Sequence, residues 1–361
     1  MEETNCAIVP IIIPSLEPDE RLTALVQKLA KADLSPVILL DDGSGEAYRE
    51  RFEACRDQYG CILLRHAVNL GKGRALKDAF NYCLNTWPGL AGCVTADSDG
   101  QHSPDCIRNV RDALLKEPDH LILGVRDFDA PGVPTKNRLG NRITCRVCSA
   151  VCGVKVSDTQ TGLRAIPAAF MRDLMTTEGE RFEFETRMLI EAKGKYPIRE
   201  VPIETIYDSK ENHTSHFNPL RDSLRIYRIF GAALLRYIVS SLGSGVIDVF
   251  LFWLMCRLLR GKLASYVVIA TVVARVASAS CNYALNYSLV FHSKAGRAKS
   301  AVRYCILAVC QMSLSAVIVA LLVSWLPVHI SELWVKLPVD FVLFFFSYMI
   351  QREFVYKNSG T

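Results

Sequence analysis

The sequence predicts an α/β domain followed by an α-helical membrane domain of four transmembrane helices, and three observations carry that prediction. Half of the 361 residues are hydrophobic and the mean hydropathy is +0.18, which is too long and too apolar for one soluble domain. The apolar residues are also unevenly spread. Up to about Ile229 charges mix with short apolar runs, and after Phe230 long apolar blocks are separated by short basic stretches. Within the first part, strand-length runs of β-branched residues alternate with helical periodicity, the pattern of a parallel sheet covered by helices. The expected boundaries are residues 1–216 for the α/β domain, 217–232 for an amphipathic juxtamembrane helix and 233–361 for the membrane domain.

The first strand is expected in Ile8 to Ile13, interrupted by Pro10, and the second in Val37 to Leu40, ending on Asp41-Asp42-Gly43-Ser44. Between them Leu22, Leu25, Val26 and Leu29 share one helical face. In such sheets ligands gather at the carboxyl ends of strands, so Asp41 and Asp42 lie where a ligand would. Asn69-Leu70-Gly71-Lys72-Gly73-Arg74 then leads into a helix over Ala75 to Leu84. Glycines admit close backbone approach, a helix amino terminus favours anions, and Lys72 adds a positive charge. The spacing of a Walker A loop is missing.

Val94 to His102 reads Val-Thr-Ala-Asp-Ser-Asp-Gly-Gln-His. A strand ending in Asp97 and Asp99, with Gln101 two residues on, offers hard oxygen ligands for Mg²⁺ or Mn²⁺ beside a diphosphate. The competing account is an Asx-rich turn before the helix that Ser103-Pro104 begins. A further polar cluster, Ser157-Asp158-Thr159-Gln160-Thr161-Gly162-Leu163-Arg164, follows Gly153, and Arg181-Phe182-Glu183-Phe184-Glu185 opens a helix. The two glutamates suit a site and suit an acidic first helical turn equally.

Four stretches reach spanning length, roughly Leu234 to Cys256, Leu263 to Phe291, Tyr304 to Leu326 and Leu333 to Ile350. An even number puts both termini on one side. Arg221 to Arg236, Lys294 to Arg303, and Arg352 with Lys357 would then be cytosolic, in keeping with the positive-inside rule. Phe217 to Ile229 alternates apolar residues with arginines, as a helix in the headgroup plane does. Asp248, Arg275, Asn282, Asn286 and Asp340 fall inside spans, and Asp248 and Arg275 could pair there. Asn282-Tyr283 followed by Val290-Phe291 is echoed by Ser347-Tyr348 followed by Val355-Tyr356, which suggests two related helical hairpins.

The net charge of +5 is modest, and its arginine cluster before the first apolar block suits an anionic membrane surface rather than nucleic acid. No basic, apolar and small-residue pattern follows Met1-Glu2-Glu3, so the first domain is expected in the cytosol. The thirteen cysteines are scattered and read as reduced core thiols. Cys145, Cys148 and Cys152 have steps that fit a metal cluster, and the plainer account is one apolar helical face.

On these motifs the first 230 or so residues resemble family 2 glycosyltransferases of the GT-A fold, a Rossmann-like α/β architecture, and most closely the polyprenyl-phosphate branch. The last 130 or so look like the GtrA family of four-span proteins. The resemblance implies transfer of a sugar, with inversion, from a UDP- or GDP-linked donor to polyprenyl (undecaprenyl) phosphate at the cytosolic face of a bacterial inner membrane. It implies that Pro14, Asp42 and Asp97 hold base and ribose, with Glu17, Lys72 and Ser98 also on the nucleotide-sugar, and that Asp99 and Gln101 hold Mg²⁺ or Mn²⁺. Asp158 and Gln160 would face the reacting centre with Asp99, and Arg126, Arg138, Arg164 and His216 would meet the acceptor phosphate. The family's Pro-Ala-Tyr-Asn-Glu opening is replaced by Pro14-Ser15-Leu16-Glu17-Pro18, which moves the glutamate. The membrane half would assist translocation of the lipid-linked sugar or serve as an anchor and homo-oligomerisation module. A processive polysaccharide synthase is disfavoured because no Gln-x-x-Arg-Trp motif occurs.

Overall fold

The structure, a computed structural model, describes residues 7–129, 135–204, 219–291, 293, 295–325 and 332–357 apart from 260–265. It divides into two compact units, Met1–Ile229 and Phe230–Thr361.

The first unit is built on a seven-stranded sheet of order β3-β2-β1-β4-β6-β5-β7. The strands are β1 (Ile11–Ser15), β2 (Val37–Asp41), β3 (Ile62–Arg65), β4 (Gly92–Thr95), β5 (Leu121–Arg126), β6 (Arg164–Pro167) and β7 (Ile198–Ile203). All neighbouring pairs are parallel except those of β6, which runs antiparallel to both β4 and β5. β1 begins after Pro10 and not at Ile8, since a proline nitrogen has no hydrogen to give the ladder.

Helices α1 (Glu20–Lys31), α2 (Arg49–Tyr59), α3 (Lys72–Thr86), α4 (Pro104–Lys116), α5 (Thr135–Cys152), α6 (Ala168–Leu174) and α7 (Glu183–Ala192) connect these strands. α1 buries the expected stripe of Leu22, Leu25, Val26 and Leu29, each worth about 2 kcal/mol of apolar burial. Asp19 caps its start by accepting the Arg21 N–H. α4 starts where Ser103-Pro104 predicts, with the Ser103 hydroxyl accepting the Cys106 N–H. The core joins β1, β2 and β4 to α1 and α4 through Ile11, Ile13, Leu39, Val94, Ile107 and Val110.

Register explains where a ligand can lie. Ser15 is level with Asp41, and Asp41 with Arg65, so β1, β2 and β3 end together. Because β6 is antiparallel and starts at Arg164 opposite Thr95, the loop that precedes it arrives at the same edge as the carboxyl end of β4. The Thr95 hydroxyl donates to the Gly162 carbonyl at 2.8 Å and fastens that loop there.

The second unit is helical. α8 (Pro219–Leu259), whose residues up to Ile229 count with the first unit, is one helix, so the expected juxtamembrane helix at 217–232 is, from Pro219 on, the opening of the helix that carries the first apolar stretch. It is followed by α9 (Tyr266–Leu285), α10 (Arg297–Trp325) and α11 (Glu332–Ile350). Among the described residues two stretches, Tyr227–Leu259 and Arg297–Leu322, are long and apolar enough to cross a membrane.

α9 ends in a π-helical turn, Asn286–Val290, and α11 ends in another, Gln351–Val355. These turns fall on the two halves of the sequence echo, and their first residues meet: Asn286 Nδ2 donates to Gln351 Oε1 at 3.1 Å. Asn286 also reaches Asn282 Oδ1 and the Ser240 hydroxyl, while Gln351 reaches Ser347 and Tyr237. Phe291 and Tyr356, which close the two turns, stack at 4.9 Å between centroids. Asp248 accepts from Ser278 and lies 3.6 Å from Arg275, as the sequence suggested.

Candidate functional site

The Asp41-Asp42-Gly43-Ser44 turn closes β2. Asp41 Oδ1 accepts the Ser44 N–H at 2.9 Å and its Oδ2 accepts Arg65 Nε at 3.0 Å. Asp42 accepts the backbone N–H groups of Leu70 at 2.9 Å and Gly71 at 2.8 Å, and faces His66 Nδ1 at 2.7 Å. Gly43 sits at φ +76°, where a Cβ would lie 2.2 Å from the Val68 carbonyl carbon. Pro14 is buried in β1, and Glu17 is exposed in a left-handed conformation at φ +46°. Its N–H donates to the Ser44 hydroxyl at 2.8 Å, which ties the β1 loop to the β2 turn.

α3 begins at Lys72, three residues ahead of the expected Ala75. The Lys72 ammonium does not stand free for an anion. It contacts Asp97 Oδ1 at 2.7 Å and Glu185 Oε1 at 2.9 Å. Burial opposes its charge, yet Asp97 and Glu185 hold it above the usual lysine range. Glu185 is thereby both part of the first turn of α7 and a buried partner of the site, a role that the sequence left open.

Asp97, half-buried at the end of β4, is pulled two ways. Burial opposes ionisation, and the Lys72 ammonium with His102 outweighs it and keeps the carboxyl well below the ordinary range. Gly162 makes room for it, since a Cβ there would stand 2.2 Å from Asp97 Oδ2. Asp99 differs: its Oδ1 accepts the Gln101 N–H at 3.0 Å, and burial followed by the charge of Asp97 pushes its carboxyl up. Ser98 and Gln101 are half-buried beside it. His102 is buried with Nδ1 unpartnered. Among the described residues no group of three or more His, Cys, Asp or Glu side chains could hold a metal. Cys145, Cys148 and Cys152 lie along α5 outside any disulfide.

Across the same edge, Asp158 is fully buried and receives a two-pronged bond from Arg126, Nε at 2.7 Å and Nη2 at 3.1 Å. Its Oδ1 also accepts the Gln160 N–H at 3.0 Å. The sequence put Arg126 and Asp158 in separate clusters. Antiparallel β6 brings them together, because the loop before β6 lies beside the end of β5. Glu200 on β7 holds that loop through the N–H and hydroxyl of Ser157, at 2.5 and 2.9 Å. No motif signalled it, since β7 reads Ile-Arg-Glu-Val-Pro-Ile with its two charges adjacent.

The other basic residues divide. Arg138 on α5 donates to the Phe128 carbonyl at 2.7 Å and lies 3.6 Å from Asp129. Arg164 is fully buried, its guanidinium bound to the carbonyls of Thr159, Thr161 and Glu185. These contacts tie the loop before β6 to α7. His216 lies outside the described residues.

Residues 11–177 match Glycosyl transferase family 2, and residues 236–356 match GtrA/DPMS, transmembrane domain. The chain joins a family 2 glycosyltransferase domain to a GtrA/DPMS transmembrane domain. It is 28% identical over 218 residues to UDP-N-acetylglucosamine–dolichyl-phosphate N-acetylglucosaminyltransferase of Methanococcus voltae, a match that covers 55% of this chain and 86% of that protein. It is 26% identical over 226 residues to glycosyltransferase AglJ of Haloferax volcanii, covering 61% and 71%. A dolichyl-phosphate hexose transferase of the same organism is 32% identical over 111 residues, 30% of this chain and 48% of that one. Among solved structures, glucosyl-3-phosphoglycerate synthase of Mycobacterium tuberculosis, in complex with Mn²⁺ and UDP, aligns at a TM-score of 0.47 and 17% identity over 64% of this chain and 79% of its own. The chain thus carries an α/β sheet domain that matches Glycosyl transferase family 2 and a helical domain that matches GtrA/DPMS, transmembrane domain.

Proposed function

We propose that this glycosyltransferase moves a sugar from a UDP- or GDP-linked donor onto polyprenyl phosphate, with inversion at the anomeric carbon. The observation that carries the reading is the convergence of two ion-paired centres, Lys72 with Asp97 and Arg126 with Asp158, at one edge of the sheet. The relatives named as dolichyl-phosphate transferases support the acceptor class. Asp42, Asp97, Pro14, Glu17 and Ser98 would hold the nucleoside, and Lys72 would keep Asp97 ionised and aimed. Asp99 and Gln101 fit a divalent cation, because a half-buried carboxyl whose pKa is raised by burial and by a second carboxylate gains most from added positive charge. Since no group of three or more His, Cys, Asp or Glu side chains among the described residues is arranged around a metal, ligand oxygens would complete the set. A bound Mg²⁺ or Mn²⁺ would neutralise charge on the departing diphosphate.

No strong base is needed. A phosphate monoester loses its second proton at a pKa of about 6, so the acceptor oxygen attacks as an anion. The bond from it to the anomeric carbon forms as the bond to the donor diphosphate breaks, and the electron pair leaves on that diphosphate. In-line attack of this kind inverts the carbon. Asp158 then serves to position: it aims Arg126, which with Arg138 would meet the acceptor phosphate. Asp158 spends its oxygens on Arg126 and the Gln160 N–H, which favours this over a base.

The membrane domain is proposed to cross the bilayer four times, with α8 to α11 as spans and the glycosyltransferase domain in the cytosol of a bacterium. The mutual hydrogen bonds of Asn282, Asn286 and Gln351 favour an anchor over a translocation path. The test uses the full chain in detergent with undecaprenyl phosphate, Mg²⁺ and a panel of radiolabelled UDP- and GDP-sugars. One donor should give a chloroform-soluble sugar lipid, lost in Asp99→Ala. Retention of every label in water by folded, nucleotide-binding protein would overturn the acceptor.

A further inference from the structure

Asp158 is buried, and the residue before it is tied to the surface. Ser157 engages all three of its polar groups. Its N–H and hydroxyl donate to Glu200 Oε1 and Oε2 at 2.5 and 2.9 Å, and its carbonyl accepts Asn141 Nδ2 at 2.7 Å, with the Cys145 thiol at 3.4 Å. Glu200 is exposed on β7, level with Leu123 of β5, the strand that ends in Arg126. Its neighbour Arg199 is turned to Glu117. Asn141 is buried on α5, one turn past Arg138. Ser157 therefore joins the three elements that carry Arg126, Asp158 and Arg138.

Beyond Asp158 the sheet holds the loop, through the Thr161 hydroxyl on the Gly124 carbonyl and the Thr95 hydroxyl on the Gly162 carbonyl. Ahead of it, Ser157 is where β7 and α5 take hold. Each peptide unit is a rigid plane. Glu200 fixes the plane that enters Ser157 by its N–H, and Asn141 fixes the plane that leaves it by its carbonyl, the plane that also contains the Asp158 nitrogen. The two-pronged bond between Arg126 and Asp158 is sensitive to such placement, because both of its contacts depend on one mutual angle.

We propose that Glu200 is a positioning residue for the acceptor phosphate: with Asn141 it fixes the two peptide planes that flank Ser157, and so sets the Asp158 carboxylate where it aims Arg126. This rests on the reading of Arg126 and Asp158 as the acceptor-phosphate centre. Glu200 acts here through its hydrogen bonds and not through its charge. Glutamine tells the two apart, because it keeps a carbonyl oxygen for the Ser157 N–H and sets its amide against a hydroxyl that can turn to accept.

The experiment measures retention of radiolabelled undecaprenyl phosphate by the full chain in detergent, with undecaprenol as the control for binding of the tail. Calorimetric titration of UDP and of GDP, with Mg²⁺, is run beside it. Glu200→Ala should bind the lipid phosphate about tenfold more weakly with nucleotide affinity equal to wild type, a split that general loosening of the domain would not give. A parallel loss of nucleotide affinity would overturn the proposal. Glu200→Gln should recover most of the loss, and an equal loss in both variants would overturn the hydrogen-bond role. Ser157→Ala, which deletes one of the two bonds, should fall between wild type and Glu200→Ala, and it decides the matter should Glu200→Ala not fold. Unchanged lipid-phosphate binding in Asp158→Asn would remove the acceptor reading itself. Weak binding in Asp158→Asn with wild-type binding in Glu200→Ala or Ser157→Ala would overturn the role of Glu200 alone.

Discussion

The two units bury polar groups in different ways. In the glycosyltransferase unit several buried charges are held in ion contacts, Lys72 with Asp97 and Glu185, Arg126 with Asp158, and Lys77 with Glu180. At the centre of the helical unit the polar groups are amides and hydroxyls, Asn282, Asn286, Gln351, Ser240 and Tyr237. A buried ion pair costs desolvation and adds little stability over an apolar pair. In hydrocarbon the same charges would cost more, and neutral hydrogen bonds join helices at lower cost. The Asp248–Arg275 contact, at 3.6 Å, is the exception to this division among these contacts.

The largest expected effect separates the units most sharply. Asp158→Asn leaves Arg126 without its carboxylate anchor, and loss of one partner from a buried pair costs about 3–5 kcal/mol. Product formation should fall at least about a hundredfold, measured as kcat/KM for the sugar lipid, with the acceptor KM raised. An unchanged acceptor KM would detach Asp158 from the acceptor phosphate.

Gly162→Ala sharpens the same side. Its Cβ would displace Asp97 Oδ2 from 2.2 Å, and overpacking of this kind costs about 1–3 kcal/mol. Nucleotide affinity should drop about tenfold with a smaller change in thermal stability, and an affinity equal to wild type would show that Asp97 does not touch the nucleotide.

The smallest effects are expected in the helical unit. Asn286→Ala and Gln351→Ala should each lower unfolding stability in detergent by about 1 kcal/mol. The double variant should cost less than the sum, because the two share one bond. Arg275→Ala should cost less, because its 3.6 Å contact with Asp248 is longer than the hydrogen bonds of Asn286. Equal losses from Arg275 and Asn286 would break the contrast between charged and neutral centres.

Much of the site was legible because its motifs are local. Asp41-Asp42-Gly43-Ser44, Gly71-Lys72-Gly73 and Asp97-Ser98-Asp99 each end or begin an element, and strand ends in an α/β sheet collect at one edge. The echo between Asn282-Tyr283 and Ser347-Tyr348 was legible too, although a π-helical turn has no sequence signature of its own. The contacts of Arg164 were not legible, since its carbonyl partners come both from the loop before β6 and from α7.

The order of elements, the division into a charged and an apolar half, and the carboxylates at the ends of β2 and β4 follow from local periodicity and composition, which each segment carries within itself. The partners do not. Lys72 meets Glu185, Arg126 meets Asp158, His66 joins Asp42 to Asp78, and Asn286 meets Gln351 across 113, 32, between 12 and 24, and 65 residues of chain respectively. The tertiary structure decides such contacts, because one antiparallel strand among parallel ones, or the packing of one helix on another, sets distances that no local pattern encodes.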